Sequence, residues 1–380
     1  MDCLHGSNSS RGFGRLNGMW DSEKVYFKND DYFFDLVVDI NESKSSVVLE
    51  TYIFKPDRLG HQIISSLIKA SLRGVKIKVM IDGVGSSATT ANPIRFLHNY
   101  GIETKVYHPI SDFFHLNRRD HRKIVLIDDY VAWVGSQNIT SDHLPHVENR
   151  RNWYDVGLRV SGAGVTKINS SFQKIWSEQR PRKNYIKEKI KRLKKKELTT
   201  EITHVRLNDS VLDRIRYINE FIQKISKSNY RVWLTTPYFV PTRRLIKALS
   251  EAARCGVDVR ILLPAQSDVF FMPWVADCYY EVLLQSGVKI FEYEKGILHA
   301  KYLILDDWIL VGSSNLNYRS FFWDLEIDIV VTQDMTIKAI LEEFDQKTTQ
   351  ANRVQRDWFN RRSFWRKFLG RVFLLFRQWL

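Results

Sequence analysis

The sequence predicts an α/β protein of two duplicated α/β/α sandwich domains related by a pseudo-twofold axis, followed by a C-terminal amphipathic helix. Three observations lead to this prediction. A short polar motif occurs twice, both copies lie within a longer repeat, and strand-like runs alternate with helix-like runs. Such alternation predicts a sheet with helices on both faces. A chain of 380 residues is long enough to bury two ordinary cores.

The motif reads H-x-K-x-x-x-x-D and is followed in each half by a G-S-x-N turn. Its six charged or titratable residues are His121, Lys123, Asp128, His299, Lys301 and Asp306. The turns contribute Ser136, Asn138, Ser313 and Asn315. One match to so short a motif is weak evidence, but two copies with the same turn indicate one site built from both halves.

A longer repeat surrounds the motif copies. Residues 47–54 parallel 232–239, residues 70–77 parallel 252–259, and residues 100–102 parallel 286–288. The period of about 180 residues is too long for a solenoid and fits two duplicated domains.

Short β-branched runs and helical periodicity define the elements of each half. Residues 47–54 and 75–81 read as buried strands, and the segment between them has helical apolar spacing, with Gly74 as a C-cap. Residues 124–127 with 131–134, and 302–305 with 309–311, read as paired strands around an Asp-Asp turn. The second copy has one residue fewer before its Gly-Ser turn, which predicts a tighter turn.

The six motif residues are the candidate catalytic residues, and their chemistry suits a phosphodiester. Two ammonium groups can hold phosphate oxygens while one imidazole attacks phosphorus and the other protonates the leaving oxygen. The serines and asparagines of the two turns would add neutral donors. Because Asp128 and Asp306 have the opposite strand parity, we expect them to brace the turns. The lysines supply positive charge, so we expect no metal and no cofactor.

The net charge of +14 is concentrated in two segments. Residues 180–196 carry a net +9 and residues 353–380 a net +7, so the remainder is slightly acidic. A nuclease would more naturally spread positive charge along a channel that follows the phosphate backbone. We therefore predict domains at 20–178 and 206–345, a basic linker at 179–205 and a basic tail at 353–380.

The tail has a helical pattern with an apolar face and a polar face. The apolar face comprises Trp365, Phe368, Leu369, Val372, Leu375, Phe376 and Trp379. Arg366, Lys367, Arg377 and Gln378 fall on the other side. This pattern predicts a helix in a membrane interface, and a helix packed on the protein core is the alternative.

The doubled motif resembles that of the phospholipase D superfamily, over roughly residues 20 to 345. Residues 49–52, 119–125 and 315–320 make the chain most similar to bacterial cardiolipin synthases. The resemblance implies that His121 is the nucleophile and His299 the general acid. It also implies a carboxylate downstream of each motif that orients its histidine, and Asp155 and Glu326 fit those places.

The resemblance further implies a phosphatidyl transferase that makes cardiolipin from two phosphatidylglycerols, or from phosphatidylglycerol and another phospholipid donor, through a phosphatidyl-histidine intermediate. Phospholipase D hydrolysis and nucleic-acid phosphodiester cleavage by the same residues remain alternatives. A catalytically silent membrane-binding protein is disfavoured by the intact motifs.

Location and partners follow from the same resemblance and from composition. The paired N-terminal transmembrane helices of many bacterial cardiolipin synthases are missing, and no apolar run is long enough to span a bilayer. Three scattered cysteines favour a reducing compartment. We expect a peripheral enzyme on the cytoplasmic face of a bacterial inner membrane. Its expected partner is an anionic phospholipid membrane containing phosphatidylglycerol and cardiolipin, and no nucleic acid.

Overall fold

The computed structural model describes residues 20–86, 96–109, 118–144, 152–178, 204–360 and 362–378. Most of the predicted linker, residues 179–203, lies outside these ranges, as does Trp379 of the predicted tail.

The first half forms a seven-stranded sheet with β7 (Trp153–Tyr154) outside it. The sheet strands are β1 (Ser22–Tyr26), β2 (Ser46–Thr51), β3 (Lys76–Asp82), β4 (Glu103–Tyr107), β5 (Ile124–Ile127), β6 (Val131–Gly135) and β8 (Gly157–Ser161). Their order is β1-β8-β6-β5-β2-β3-β4, with β2, β3 and β4 mutually parallel. The α-helices among the described residues of this half are α1 (Asn29–Glu42), α2 (Arg58–Leu72) and α3 (Val165–Ser177).

The second half forms an eight-stranded sheet with β13 (Ile297–Leu298) outside it. The sheet strands are β9 (Val205–Leu207), β10 (Arg231–Thr235), β11 (Asp258–Pro264), β12 (Lys289–Tyr293), β14 (Tyr302–Leu305), β15 (Trp308–Gly312), β16 (Ile327–Val331) and β17 (Asn352–Arg353). Read as β9-β16-β15-β14-β10-β11-β12-β17, this order matches the first sheet strand for strand and adds one edge strand. The predicted duplication is therefore confirmed.

Seven helices of the second half have defined bounds in the described residues. They are α4 (Val211–Lys227), α5 (Arg243–Arg254), α6 (Met272–Gln285), α7 (Tyr318–Phe322), α8 (Asp334–Thr349), α9 (Arg356–Asn360) and α10 (Phe364–Leu374). No helix in the described ranges is both long enough and apolar enough to cross a bilayer.

Local sequence explains where the elements begin and turn. The side chain of Asp57 caps α2 by accepting the backbone N–H of Gly60, and Gly74 follows α2 with a positive φ of 90°. The predicted strands at 124–127 and 302–305 are confirmed. Three residues connect β5 to β6 and two connect β14 to β15, so the predicted tighter turn is also confirmed.

Three buried clusters account for the layers. One lies under α1 and α2, and another under α4, α5 and α6. The third is shared, because it combines apolar side chains of both sheets with those of α3 and α8. Each sheet thus has helices on both faces, and the inner layers of the two halves form one core.

The start of the predicted tail belongs to the second domain. Arg353 lies in β17, which pairs with β12, and Val354 and Phe359 are buried in the cluster of that domain. At the other boundary, β9 begins at Val205, inside the predicted linker. These boundaries shift because a backbone pairing and apolar burial extend past the compositional limits.

Two backbone contacts join the halves beside the motif. Strand β7 of the first half pairs in parallel with β13 of the second, and Asp120 forms a bridge with Leu325. The backbone N–H of His121 donates to Leu325 O at 3.0 Å, and that of His299 donates to Tyr154 O at 2.8 Å. Each motif histidine is therefore held by the main chain of the opposite half.

The motif aspartates lie at the other ends of their strands. Asp128 follows β5 and accepts the backbone N–H groups of residues 44, 45 and 46, and Asp306 follows β14 and accepts those of residues 229, 230 and 231. Both aspartates have a φ of 52°. Each carboxylate joins its turn to the start of a neighbouring strand, β2 or β10.

Replacing Asp128 with alanine is expected to lower the free energy of unfolding by about 1–3 kcal/mol, because several N–H groups lose their acceptor. Alanine also tolerates the positive φ poorly, whereas Asp128→Asn keeps an acceptor oxygen and should lose less. Denaturant unfolding measures the change. A large fall in kcat at unchanged stability would contradict this bracing role.

Candidate active site

Both motif histidines line one cavity of about 470 Å³. Among the predicted site residues, its walls include His121, Asn138, His299 and Asn315. Lys123 and Lys301 are buried, and their Nζ atoms donate to the carbonyl oxygens of His121 and His299 at 2.7 and 2.6 Å. The two copies of the motif are therefore brought together.

The carboxylates pair with the histidines across the halves. Nδ1 of His121 lies 3.1 Å from both carboxylate oxygens of Glu326, and Nδ1 of His299 lies 2.7 Å from Oδ1 of Asp155. The expectation that each carboxylate orients the histidine of its own motif is wrong. The backbone contacts between the halves explain the exchange, since each histidine is bonded to the residue that precedes the opposite carboxylate.

The serines of the two turns support these carboxylates. Ser136 Oγ donates to Asp155 Oδ1 at 2.7 Å, and Ser313 Oγ donates to Glu326. Both hydroxyls are buried, and neither serine lines the cavity. The two serines hold the carboxylates in place. The sequence predicted instead that their hydroxyls would be donors beside the pocket.

Burial and like charge favour the neutral form of both imidazoles. Burial, with Lys123 next in importance, holds the pKa of His121 well below its ordinary value. Burial and then Lys301 lower the pKa of His299 to about 3. An entering phosphodiester brings negative charge next to the lysines, which favours the protonated imidazole again. Protonation of His299 is thereby coupled to substrate binding.

The two orienting carboxylates differ in proton affinity. Burial opposes ionisation of Asp155, yet His143 and His299 hold its pKa well below the usual value. Burial raises the pKa of Glu326 to about 7, although Lys123 opposes this effect. The carboxylate that faces His299 therefore has a lower pKa than the one that faces His121.

Asn29 and Asn208 were not predicted from the sequence, and they hold equivalent loops in the two halves. Each side-chain amide donates to two backbone carbonyl oxygens. The acceptors are His143 and Trp153 for Asn29, and Ser320 and Asp324 for Asn208. The shared pattern makes His143 the counterpart of Ser320, and Trp153 the counterpart of Asp324.

His143 is the other site residue that sequence reasoning missed. It is 1% exposed, its Nδ1 lies 2.5 Å from Asp155 Oδ2, and it lines the cavity. Its counterpart Ser320 donates to Glu326 Oε1 at 2.5 Å. Both residues lie five positions after the asparagine of their turn, so aligning the two repeats could have found the pair.

One group of metal-ligand side chains was found in the described ranges, and it lies at this site. Ligand atoms of His143, Asp155 and His299 lie within 4.8 Å of one another. Both Nδ1 atoms already face the carboxylate of Asp155 in hydrogen bonds. These hydrogen bonds hold both imidazole rings against one carboxylate.

Comparison with known proteins identifies the family. A family model described as "Cardiolipin synthase, PLD-like domain" matches residues 36–176 and 221–348. The cardiolipin synthase of Clostridium perfringens strain SM101 is 32% identical over 354 residues, which cover 89% of this chain and 73% of the relative. Cardiolipin synthase 2 of Bacillus anthracis is 29% identical and covers 95% and 71% of the two chains. The chain belongs to the cardiolipin synthase family of the phospholipase D superfamily. It is a phosphatidyltransferase.

Solved structures support the fold. The phosphatidylserine synthase of Haemophilus influenzae Rd KW20 is similar with a TM-score of 0.71 at 15% identity, covering 94% of this chain and 95% of that one. The polyphosphate kinase of Porphyromonas gingivalis is similar with a TM-score of 0.59 at 11% identity, covering 86% and 50%. At these identities the similarity concerns the duplicated fold alone.

Replacing His143 with serine, the residue of its counterpart, is expected to lower kcat about tenfold or more. A hydrogen bond to a charged group is worth about 1.5–3 kcal/mol, and roughly 1.4 kcal/mol corresponds to a factor of ten in rate. Without this donor Asp155 becomes more basic and raises the pKa of His299, so the alkaline limb of the pH–rate profile should move to higher pH.

The pH–rate profile distinguishes a role of His143 in positioning Asp155 from a role in folding alone. His299 also faces Lys301 and Asp268, and both remain in the variant. Ser320→Ala is the matched control, because it weakens the contact to Glu326 and should act on the limb of His121. A lower kcat with an unshifted profile would contradict the positioning role of His143.

Phosphodiester binding is expected to weaken as the pH rises from about 7 through about 8. Burial, and then Lys123, lower the pKa of Lys301 to about 7, and burial lowers that of Lys123 to about 8. Both lysines are cationic below these values and lose their charge above them. Calorimetry with glycerophosphoglycerol and the His121→Asn variant measures the affinity, and a pH-independent affinity would contradict the prediction.

Proposed function

We propose that this phosphatidyltransferase makes cardiolipin from two phosphatidylglycerols, or from phosphatidylglycerol and another phospholipid donor. The observation that carries the proposal is that His121 and His299 line one cavity. Behind the cavity wall each histidine is held by a buried carboxylate, and each motif adds a buried lysine. Membership of the cardiolipin synthase family supports the choice of lipid.

In the first step, Nε2 of His121 attacks the phosphorus of phosphatidylglycerol while Glu326 holds the opposite ring nitrogen. The bond from phosphorus to the glycerol oxygen breaks, and His299 transfers its Nε2 proton to that oxygen. Lys123 and Lys301 stabilise the negative charge on the non-bridging oxygens. Glycerol leaves, and a phosphatidyl-His121 intermediate remains.

In the second step, His299 is neutral and acts as a base. It removes the proton from a hydroxyl of a second phosphatidylglycerol, whose oxygen attacks the phosphorus. The bond from phosphorus to His121 breaks, and cardiolipin is released. Asp155 keeps the ring of His299 in one orientation through both proton transfers.

The two steps need different properties from the two histidines, and their surroundings differ accordingly. Asp155, which faces His299, has a pKa held well below its usual value, whereas burial raises the pKa of Glu326, which faces His121, to about 7. A partner that stays ionised suits the histidine that must carry a proton. This difference supports giving the two residues unequal roles, with His121 as the nucleophile.

We further propose the arrangement in which this reaction takes place. Phospholipase D-like domains at 20–178 and 205–360, joined by a basic linker, would form a peripheral enzyme on the cytoplasmic face of a bacterial inner membrane. The basic residues that follow the second domain would approach the anionic lipids, since each basic residue near such a surface contributes about 1 kcal/mol.

Incubation of the purified full chain with phosphatidylglycerol vesicles is expected to yield cardiolipin and free glycerol. His121→Ala should abolish product formation, because it removes the nucleophile and costs the ~10³-fold or more typical of losing a covalent catalyst. Lipid products are resolved by chromatography, and glycerol is measured enzymatically.

The alternatives give different products. Phosphatidic acid in place of cardiolipin would indicate phospholipase D hydrolysis. Cleavage of DNA without lipid turnover would overturn the lipid function. Cardiolipin formation that survives His121→Ala would contradict the assignment of the nucleophile, for which His299→Ala serves as the comparison variant.

A further inference from the structure

Helix α10 turns arginine side chains towards the protein. Arg366 Nε donates to Asp277 Oδ2 of α6 at 2.6 Å, and just before the helix Arg362 Nη2 donates to Glu292 Oε2 at 2.6 Å. A Cβ atom at Gly370 would lie 2.1 Å from the carbonyl oxygen of Trp274, so the two helices touch there backbone to backbone. Buried ion pairs and this close approach fix which face of α10 contacts α6.

The opposite side of α10 presents large apolar side chains to solvent. Phe364 is 71% exposed, Trp365 66% and Phe376, just after the helix, 57%. The apolar side chains predicted from the sequence to lie together at residues 365, 368, 375 and 376 are all exposed. A helix that served only to cover the core would turn such residues inward, and clustered exposed rings mark a contact surface.

The protein-facing side of α10 connects the helix to the cavity. Phe373 of α10 is partly buried and stacks on Phe271 with ring centroids 4.5 Å apart, and Phe271 lines the cavity together with Val269 and Met272. The neighbouring Phe270 is 67% exposed and meets Phe271 edge-on at 5.3 Å. Phe271 thus links both α10 and the exposed ring of Phe270 to the wall of the cavity.

Charge identifies the partner. Residues 362–378 contain five basic residues and no acidic one. Two of these, Arg362 and Arg366, pair with acidic residues of the protein, while Arg371 and Arg377 are exposed beside the rings. An anionic bilayer accommodates both the rings and the positive charge. A second copy of the chain would bring two surfaces of the same charge together.

We propose that the outer face of α10, together with Phe270, docks on an anionic bilayer and holds the edge of the catalytic cavity at the lipid headgroups. The inference rests on the proposed function, because a bilayer-facing cavity serves an enzyme whose two substrates are both bilayer lipids. The orientation comes from the ion pairs of Asp277 and Glu292 with Arg362 and Arg366, which hold one side of α10 against the protein.

The test measures binding of the full chain to sedimented vesicles of equal parts phosphatidylglycerol and phosphatidylcholine. The variant combines Phe364→Glu and Phe376→Glu, both on the exposed surface. Phe34→Glu is the matched control, since Phe34 is 68% exposed on α1, away from α10. Turnover of short-chain phosphatidylglycerol, kept below its micelle concentration, is measured for all three proteins.

The double variant is expected to bind the vesicles at least about tenfold more weakly than the wild type, because it loses two interfacial anchors and gains negative charge. Phe34→Glu should bind as the wild type does, and all three proteins should turn over the short-chain lipid equally. Unchanged vesicle binding by the double variant overturns the proposal. So does a wild-type dimer that the double substitution dissociates while vesicle binding persists.

Failure of the proposed function has a separate signature. In that case no protein turns over the short-chain lipid, while the difference in vesicle binding between the double variant and Phe34→Glu still supports docking.

Discussion

Each motif histidine meets its orienting carboxylate only across the pseudo-twofold axis, and the rest of the site depends on that exchange. Glu326 of the second half holds His121, and Asp155 of the first half holds His299. The residue before each carboxylate also accepts the backbone N–H of the same histidine. The imidazole ring and the main chain of each histidine are therefore both fixed by the opposite half. The shared apolar core serves the same end, because it keeps the two sheets in one relative position.

Burying the two carboxylates is costly unless their oxygens accept hydrogen bonds, and the surrounding donors satisfy that condition. Asp155 accepts from Ser136 and faces the Nδ1 atoms of two histidines, so its charge persists although no part of it reaches solvent. Glu326 has Ser313 and Ser320 as donors beside a single imidazole. Two carboxylates in equivalent places therefore hold protons differently. Pairs whose surroundings separate their pKa values are those from which acid and base roles are built.

The sequence predicted the duplicated fold and the residues of the site, but not how they are paired. The strands at 124–127 and 302–305 were predictable, because a short continuous apolar run bounded by an Asp-Asp turn is a local signal. Which histidine Asp155 serves depends on the pairing of β7 with β13, a contact between segments more than a hundred residues apart. No local pattern encodes that pairing. The missed residue His143 differs in type from its counterpart Ser320, so only their equal distance from the turn asparagine, and no shared residue, points to it.

The orientation of the C-terminal helix is a second feature that the local sequence pattern does not predict. Helical periodicity divides residues 364–374 into an aromatic face and an arginine face, yet it does not say which one meets the protein. Ordinarily the apolar face does. Here Asp277 on α6 and Glu292 on β12 reverse the choice, because their buried carboxylates need cationic partners and Arg362 and Arg366 supply them. Leaving those carboxylates unpaired would cost more than exposing aromatic rings to water. The charge pattern of the second domain thus decides the orientation of α10.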